Sequence, residues 1–172
     1  MTKLFTLTLS MLLAATTMFA QEQKKAPASP HDTVKGKNMS ITYGRPYKKG
    51  RVIFGDGKTS LETYGKVWRT GANEATQVTV TRDCTFGGKK LKAGTYTMFT
   101  IPNEKEWTII LNSELKQWGA YGYDKVKDKD VLTTTVPSIH LNNTIEQFTI
   151  NINDEGLDML WDQTEVKVPV KF

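Results

Sequence analysis

GTYTMFTIPNEKEWTIILN, residues 94–112, is the stretch whose reading decides the fold. It opens with an eight-residue run, Gly94 to Ile101, rich in Thr and aromatic side chains. It closes with a seven-residue run, Glu106 to Asn112, in which Ile and Trp dominate. Runs of this length and composition fit strands better than helices, because β-branched and aromatic side chains pack well on a pleated, half-buried surface. Between them Pro102 and Asn103 supply turn chemistry. Two strands joined by a short turn make an antiparallel hairpin.

The same texture extends in both directions. NMSITYG places Met39, Ile41 and Tyr43 on one face, and TQVTVTRDC does the same with Val78, Val80 and Cys84. VLTTTV (131–136), IEQFTINI (145–152) and EVKVPVKF (165–172) are further strand-like runs, and FGGKKL marks a hairpin at Gly87-Gly88. No window of helical length repeats with a 3.6-residue period. SELKQW (113–118) and LETYGK (61–66) are the best short helical candidates. Many short strands at close spacing predict an all-β chain: a single antiparallel β-sandwich or jelly-roll-like barrel with short helical turns.

The N-terminus reads differently. MTKLFTLTLSMLLAATTMFA has one charge, Lys3, and an apolar centre too short to span a bilayer, which predicts a secretory signal peptide over residues 1–20 cleaved after Ala20. Export to the periplasm or the medium follows, with no membrane span after cleavage. QEQKKAPASPHDTVKGK (21–37) is polar, charged and contains two prolines, so it is expected as a flexible arm ahead of a β-sandwich domain over 38–172.

Cys84 is the only cysteine, which rules out an internal disulfide and leaves the core to hold the domain; its place in the period-two pattern points it inward. The formal charge of +5, spread along the chain, suits solubility and mild attraction to anions rather than a nucleic-acid footprint. With His31 and His140 as the only histidines, no metal-ligand pattern is present and no cofactor is expected.

Three stretches carry candidate chemistry. YGRPYKKGR holds Arg45 and Arg51, each beside a Pro or Gly that fixes its direction, and guanidinium groups bind carboxylate, sulfate or phosphate through paired N–H donors. VWRTGANEAT places Trp68 and Thr70 on one face and Val67 and Arg69 on the other. Gly71 then allows a reversal that presents Asn73 and Glu74. LNSELKQWGAYGYD carries Asn112, Trp118 and Tyr121, with small residues keeping flat aromatic faces open to a sugar ring.

These ordered segments, ITYGRPYKKGRVIFG, YGKVWRTGANEAT, GGKKLKAGTYTMFTIP, EWTIILN and WGAYGYD, resemble the family of exported bacterial proteins called domain of unknown function 2911. The resemblance runs from about Ser29 to about Asp124. It implies no activity, cofactor or catalytic residue, but it does imply that the three stretches belong to one shared design. The chain departs from the family at Thr133, where a basic residue is frequent.

Together these residues predict an exported module with one polar site for a small anionic or sugar-like ligand. Arg45, Arg51 and Arg69 supply charge, Asn73, Glu74 and Asn112 hydrogen bonds, and Trp118 with Tyr121 an aromatic wall. The alternatives are an envelope-polymer hydrolase or lyase with Glu74 as its acid or base, aided by Asp56 or Asp124, and a structural envelope protein in which the charges form fixed pairs.

Overall fold

The computed structural model describes residues 28–172. The expected signal peptide and residues 21–27 of the expected arm lie outside the described residues. Within them the chain forms eleven strands: β1 (His31–Lys35), β2 (Met39–Gly44), β3 (Val52–Gly55), β4 (Ser60–Thr63), β5 (Gln77–Val80), β6 (Cys84–Phe86), β7 (Lys89–Leu91), β8 (Gly94–Ile101), β9 (Glu106–Asn112), β10 (Asp130–Asn153) and β11 (Gly156–Lys171). Nine form one antiparallel sheet in the order β1-β2-β5-β8-β9-β10-β11-β6-β7. The remaining two, β3 and β4, form a small parallel pair. The chain is all-β and sandwich-like, and the β8–β9 hairpin lies where the sequence places it, with Phe99 opposite Ile110.

A nine-stranded sheet cannot bury its apolar face while flat, and the long hairpin β10–β11 supplies the fold-over. β10 first pairs with β9, from Asp130 to Pro137, and then with β11, from Ser138 to Asn153. Its register with β11 slips between His140 and Ile145 and again between Ile145 and Thr149. Opposite the slip, Asp162 takes a positive φ of 55°, and irregularities of this kind bend strands. Lys48 holds the bend from outside, donating to Asp162 at 2.7 Å. The folded-back half of β10 meets the chain beyond β2, where Phe148 N–H donates to Pro46 O and Lys48 N–H to Glu146 O.

The core fills the space so enclosed. Trp68 packs against Phe54, Trp107 and Phe148 edge-on and stacks on Trp161 at 5.8 Å between ring centroids. Ile41, Val78, Met98, Ile109, Ile150 and Val166 surround these rings, all buried, and each such side chain stabilises the fold by roughly 1.5–3 kcal/mol. A smaller cluster of Ala75, Phe99 and Ile110 lies on the opposite face of β8–β9. The crossing from Ser113 to Lys129 covers it, with Tyr123 edge-on to Phe99.

Three expectations change. Residues 31–35, expected in a flexible arm, are strand β1, paired with β2 from His31–Gly44 to Lys35–Ser40. Their composition is too polar to order them alone, but β2 supplies main-chain partners and Val34 packs on the core; the folded unit therefore starts before residue 38. LETYGK is not helical, because Leu61 to Thr63 run alongside β3. Nor is SELKQW: Lys116 has a φ of 58°, incompatible with a right-handed turn. The helical turns are 3-10 turns further on, at Tyr123–Lys125 and Lys127–Lys129. Among the described residues no helix is long and apolar enough to cross a membrane.

Candidate functional site

The turn between β4 and β5 sets the geometry. Trp68 and Thr70 point inward, at 3% and 0% exposure, as period two requires. The indole N–H of Trp68 and the Nε–H of Arg69 both donate to Gly71 O, each at 3.2 Å. Thr76 donates to Thr70 O at 2.6 Å and Thr70 to Thr100 at 3.1 Å. This bonding holds Thr70 and Asn73 at φ of 57° and 64°, a left-handed conformation that is costly for a β-branched residue. Gly71 is needed for a close approach: a Cβ there lies 2.7 Å from Gly44 O.

So fixed, the turn sends its two charged side chains to different places. Glu74 sits in a depression of about 350 Å³ with His31, Thr42, Tyr43 and Gln77, its carboxylate 3.1 Å from His31 Nε2. Asn73 donates to Ser29 O at 3.0 Å and accepts Gly119 N–H on its own carbonyl. Among the described residues no ion pair joins Arg69 to Glu74. Arg69 instead lines a cleft of about 620 Å³ on the other side.

That cleft gathers charge from three segments. Tyr47, Lys49 and Arg51 come from the connection before β3, Leu61 and Glu62 from β4, and Arg69 from the turn. Trp161 of β11 and the Ser29–Pro30 segment complete its wall. Arg51 is aimed by donating to Lys48 O and Tyr47 O, which Gly50, at a φ of 71°, allows by folding the loop back. Lys49, Arg51 and Arg69 make no ion pair among the described residues. Trp161 is buried and its Nε1–H has no acceptor among the described residues, which costs stability.

Among the described residues Glu62 is the single carboxylate on that wall. Burial raises its carboxyl from 4.5 to about 7, against the opposite pull of Arg69 and Arg51. A second depression of about 310 Å³ shares Leu61, Glu62 and Arg69 with the cleft and is also lined by Ala120 and Tyr121. Gly119 lets the covering crossing approach Arg69 closely, since a Cβ there lies 2.7 Å from the Tyr121 ring and 3.1 Å from Arg69 Nη1.

Of the eight expected site residues, Arg51 and Arg69 therefore line the cleft, and Tyr121 lines the neighbouring depression that shares Arg69 with it. Arg45 does not: it bonds Phe148 O, Asp32 and Thr149, stitching β1 and β10 to the end of β2. Asn112 is buried, donating to Val126 O and Asp130 and accepting Glu114 N–H, which fastens the covering crossing. Asn73 and Glu74 tie the turn to the N-terminal segment. Trp118, 62% exposed, bridges to Glu74 through main chain and lies outside the hollow.

The sequence reading missed Glu62, Tyr47 and Trp161, and it left Lys49 as one lysine of the basic YGRPYKKGR stretch rather than a site residue. Glu62 was available as a carboxylate within a strand-compatible SLET, but that stretch resembles a helical turn equally well. Trp161 looks like any core aromatic, and it is one; only the fold puts one edge of it on a cleft. His140 lines another hollow, with Tyr64, Glu104 and Ser138. Among the described residues no cluster of His, Cys, Asp or Glu suits a metal ion. Cys84 is buried, with its thiol pushed up by burial and by Asp83, so it is a packing residue rather than a nucleophile.

Fold and cleft together define an all-β, sandwich-like domain with a cationic hollow beside its N-terminal strand. Residues 26–170 match the family described as Protein of unknown function (DUF2911), and the chain belongs to that family. No curated protein and no solved structure matches it.

Proposed function

We propose that this domain is a binding module for a small anionic, sugar-like ligand held in the cleft between Arg51 and Arg69. One observation carries the reading: Lys49, Arg51 and Arg69 line a single hollow and none of them has a carboxylate ion-pair partner among the described residues. An anion answers that deficit. A carboxylate or sulfate accepts paired N–H bonds from a guanidinium, and such charge-assisted bonds are among the stronger ones in proteins. Tyr47 and Leu61 on the rim, 40% and 42% exposed, and Tyr121 in the neighbouring depression offer flat apolar surface to a ring. A ligand combining acid, hydroxyls and ring, such as a uronate, matches this lining.

The enzymatic alternative centred on Glu74 draws little from the geometry. Its carboxylate is half exposed and spent on His31, and its depression holds no arginine and no second carboxylate. A purely structural role fits Arg45, Asn73 and Asn112, but among the described residues it leaves the Lys49 ammonium and the remaining N–H donors of Arg51 and Arg69 without hydrogen-bond partners.

Calorimetric titration with glucuronate and with glucose at low ionic strength tests the reading. Glucuronate binds and glucose binds much more weakly. Arg51→Ala and Arg69→Ala each weaken glucuronate by about 10- to 100-fold, as loss of one charge-assisted contact requires. Arg45→Lys leaves the affinity unchanged while lowering stability. Absence of glucuronate and sulfate binding, or arginine variants that bind glucuronate as tightly as the unaltered protein, refutes it.

A further inference from the structure

We propose that Glu62 is the specificity-setting group of this cleft: the cleft takes up its anion together with one proton, which resides on the Glu62 carboxylate. The inference rests on the cleft being an anion site and adds what controls it.

The geometry creates a conflict that only a proton resolves. Glu62 of β4 lines the cleft together with Arg51 and Arg69, close enough to both guanidinium groups to feel their charge, and also lines the Tyr121 depression. The groups that share these two linings with it are Tyr47, Lys49 and Arg51 from the connection before β3, Arg69 from the turn after β4, and Tyr121 from the covering crossing. From β11 comes Trp161, which carries no charge. Among the described residues no other carboxylate lines either hollow.

Ionised, Glu62 draws on the same two guanidinium groups that the anion needs and repels the anion at short range. Protonated, it leaves both arginines to the ligand and becomes an O–H donor to a ligand oxygen. The proton comes from solvent, and the only bond formed is the carboxyl O–H. The raised carboxyl described above, at about 7, means that this exchange falls in the neutral range rather than far below it.

The consequence is measurable with a probe whose own charge does not change near neutrality, which glucuronate satisfies and phosphate does not. If the competent form is the protonated one, affinity falls with its population, by about tenfold from pH 6 to pH 8. Glu62→Gln, which keeps the shape and removes the titration, binds with nearly the same affinity at both pH values. His31→Gln, altered in the separate Glu74 depression, retains the tenfold fall. Independently of any variant, titrating the unaltered protein at pH 7.5 in two buffers of different ionisation enthalpy shows uptake of roughly three-quarters of a proton per glucuronate.

A flat profile in a protein that does bind glucuronate overturns the proton coupling and leaves the cleft standing. So does a fall that persists in Glu62→Gln, or proton uptake near zero. Failure to bind at pH 6 as well as pH 8 overturns the cleft itself, and the coupling with it.

Discussion

Glu62 shows what burial does to one side chain. Unfolded, its carboxyl ionises near 4.5; folded, near 7. Between those values the unfolded chain gives up its proton while the folded one keeps it, so the group favours folding fully below about 4.5. That contribution is lost as pH rises through about 7. Glu62→Gln should therefore raise stability at pH 8 and change it little at pH 4. After discounting for partial exposure, the gain is roughly 1–2 kcal/mol. Urea denaturation at the two pH values measures it, and an equal gain at both would show that ionisation is not the cause. Arg45 teaches the complementary lesson: an arginine that looks like a ligand-binder beside Pro46 has its fork filled by Phe148 O, Asp32 and Thr149. Those partners lie on strands distant in sequence, so no local pattern reveals that the guanidinium is occupied.

Among the elements, β8 and β9 were readable because each is long, rich in β-branched and aromatic residues, and joined by an unambiguous turn. β1 and β4 were not, because each is short and polar and is ordered by its partner strand rather than by its own composition. The contact between the end of β2 and the turn after Trp68 is likewise tertiary. A Cβ on Gly44 lies 2.0 Å from Ala72 O and 2.8 Å from Ala72 C, and neither atom belongs to a flexible side chain that can yield. Gly44→Ala is expected to cost at least about 3 kcal/mol by forcing these segments apart. Since the displaced turn also carries Arg69, glucuronate binding should weaken in whatever fraction stays folded. Urea denaturation paired with calorimetry checks both; a loss below about 1 kcal/mol would mean that the approach is not required.

For the molecule as a whole, one aromatic core joins the two halves of the folded sheet. Trp68, Trp107 and Trp161 all lie in it and Trp118 lies outside, so tryptophan emission reports chiefly on that core. Unfolding followed by emission and by far-ultraviolet circular dichroism should give one coincident transition. Two separated transitions would mean that the β10–β11 hairpin folds as an independent unit. The sequence by itself determined the all-β class, the strands that alternate, the inward cysteine and the family, because each is written in local composition and period. The tertiary structure decided which charges meet. It folded the sheet at Asp162, separated Arg69 from Glu74 across one strained turn, and brought Arg51, Glu62 and Trp161 to a common wall from one connection and two strands. Charges act over a few ångströms of space, and the distance along the chain between such residues does not record that separation.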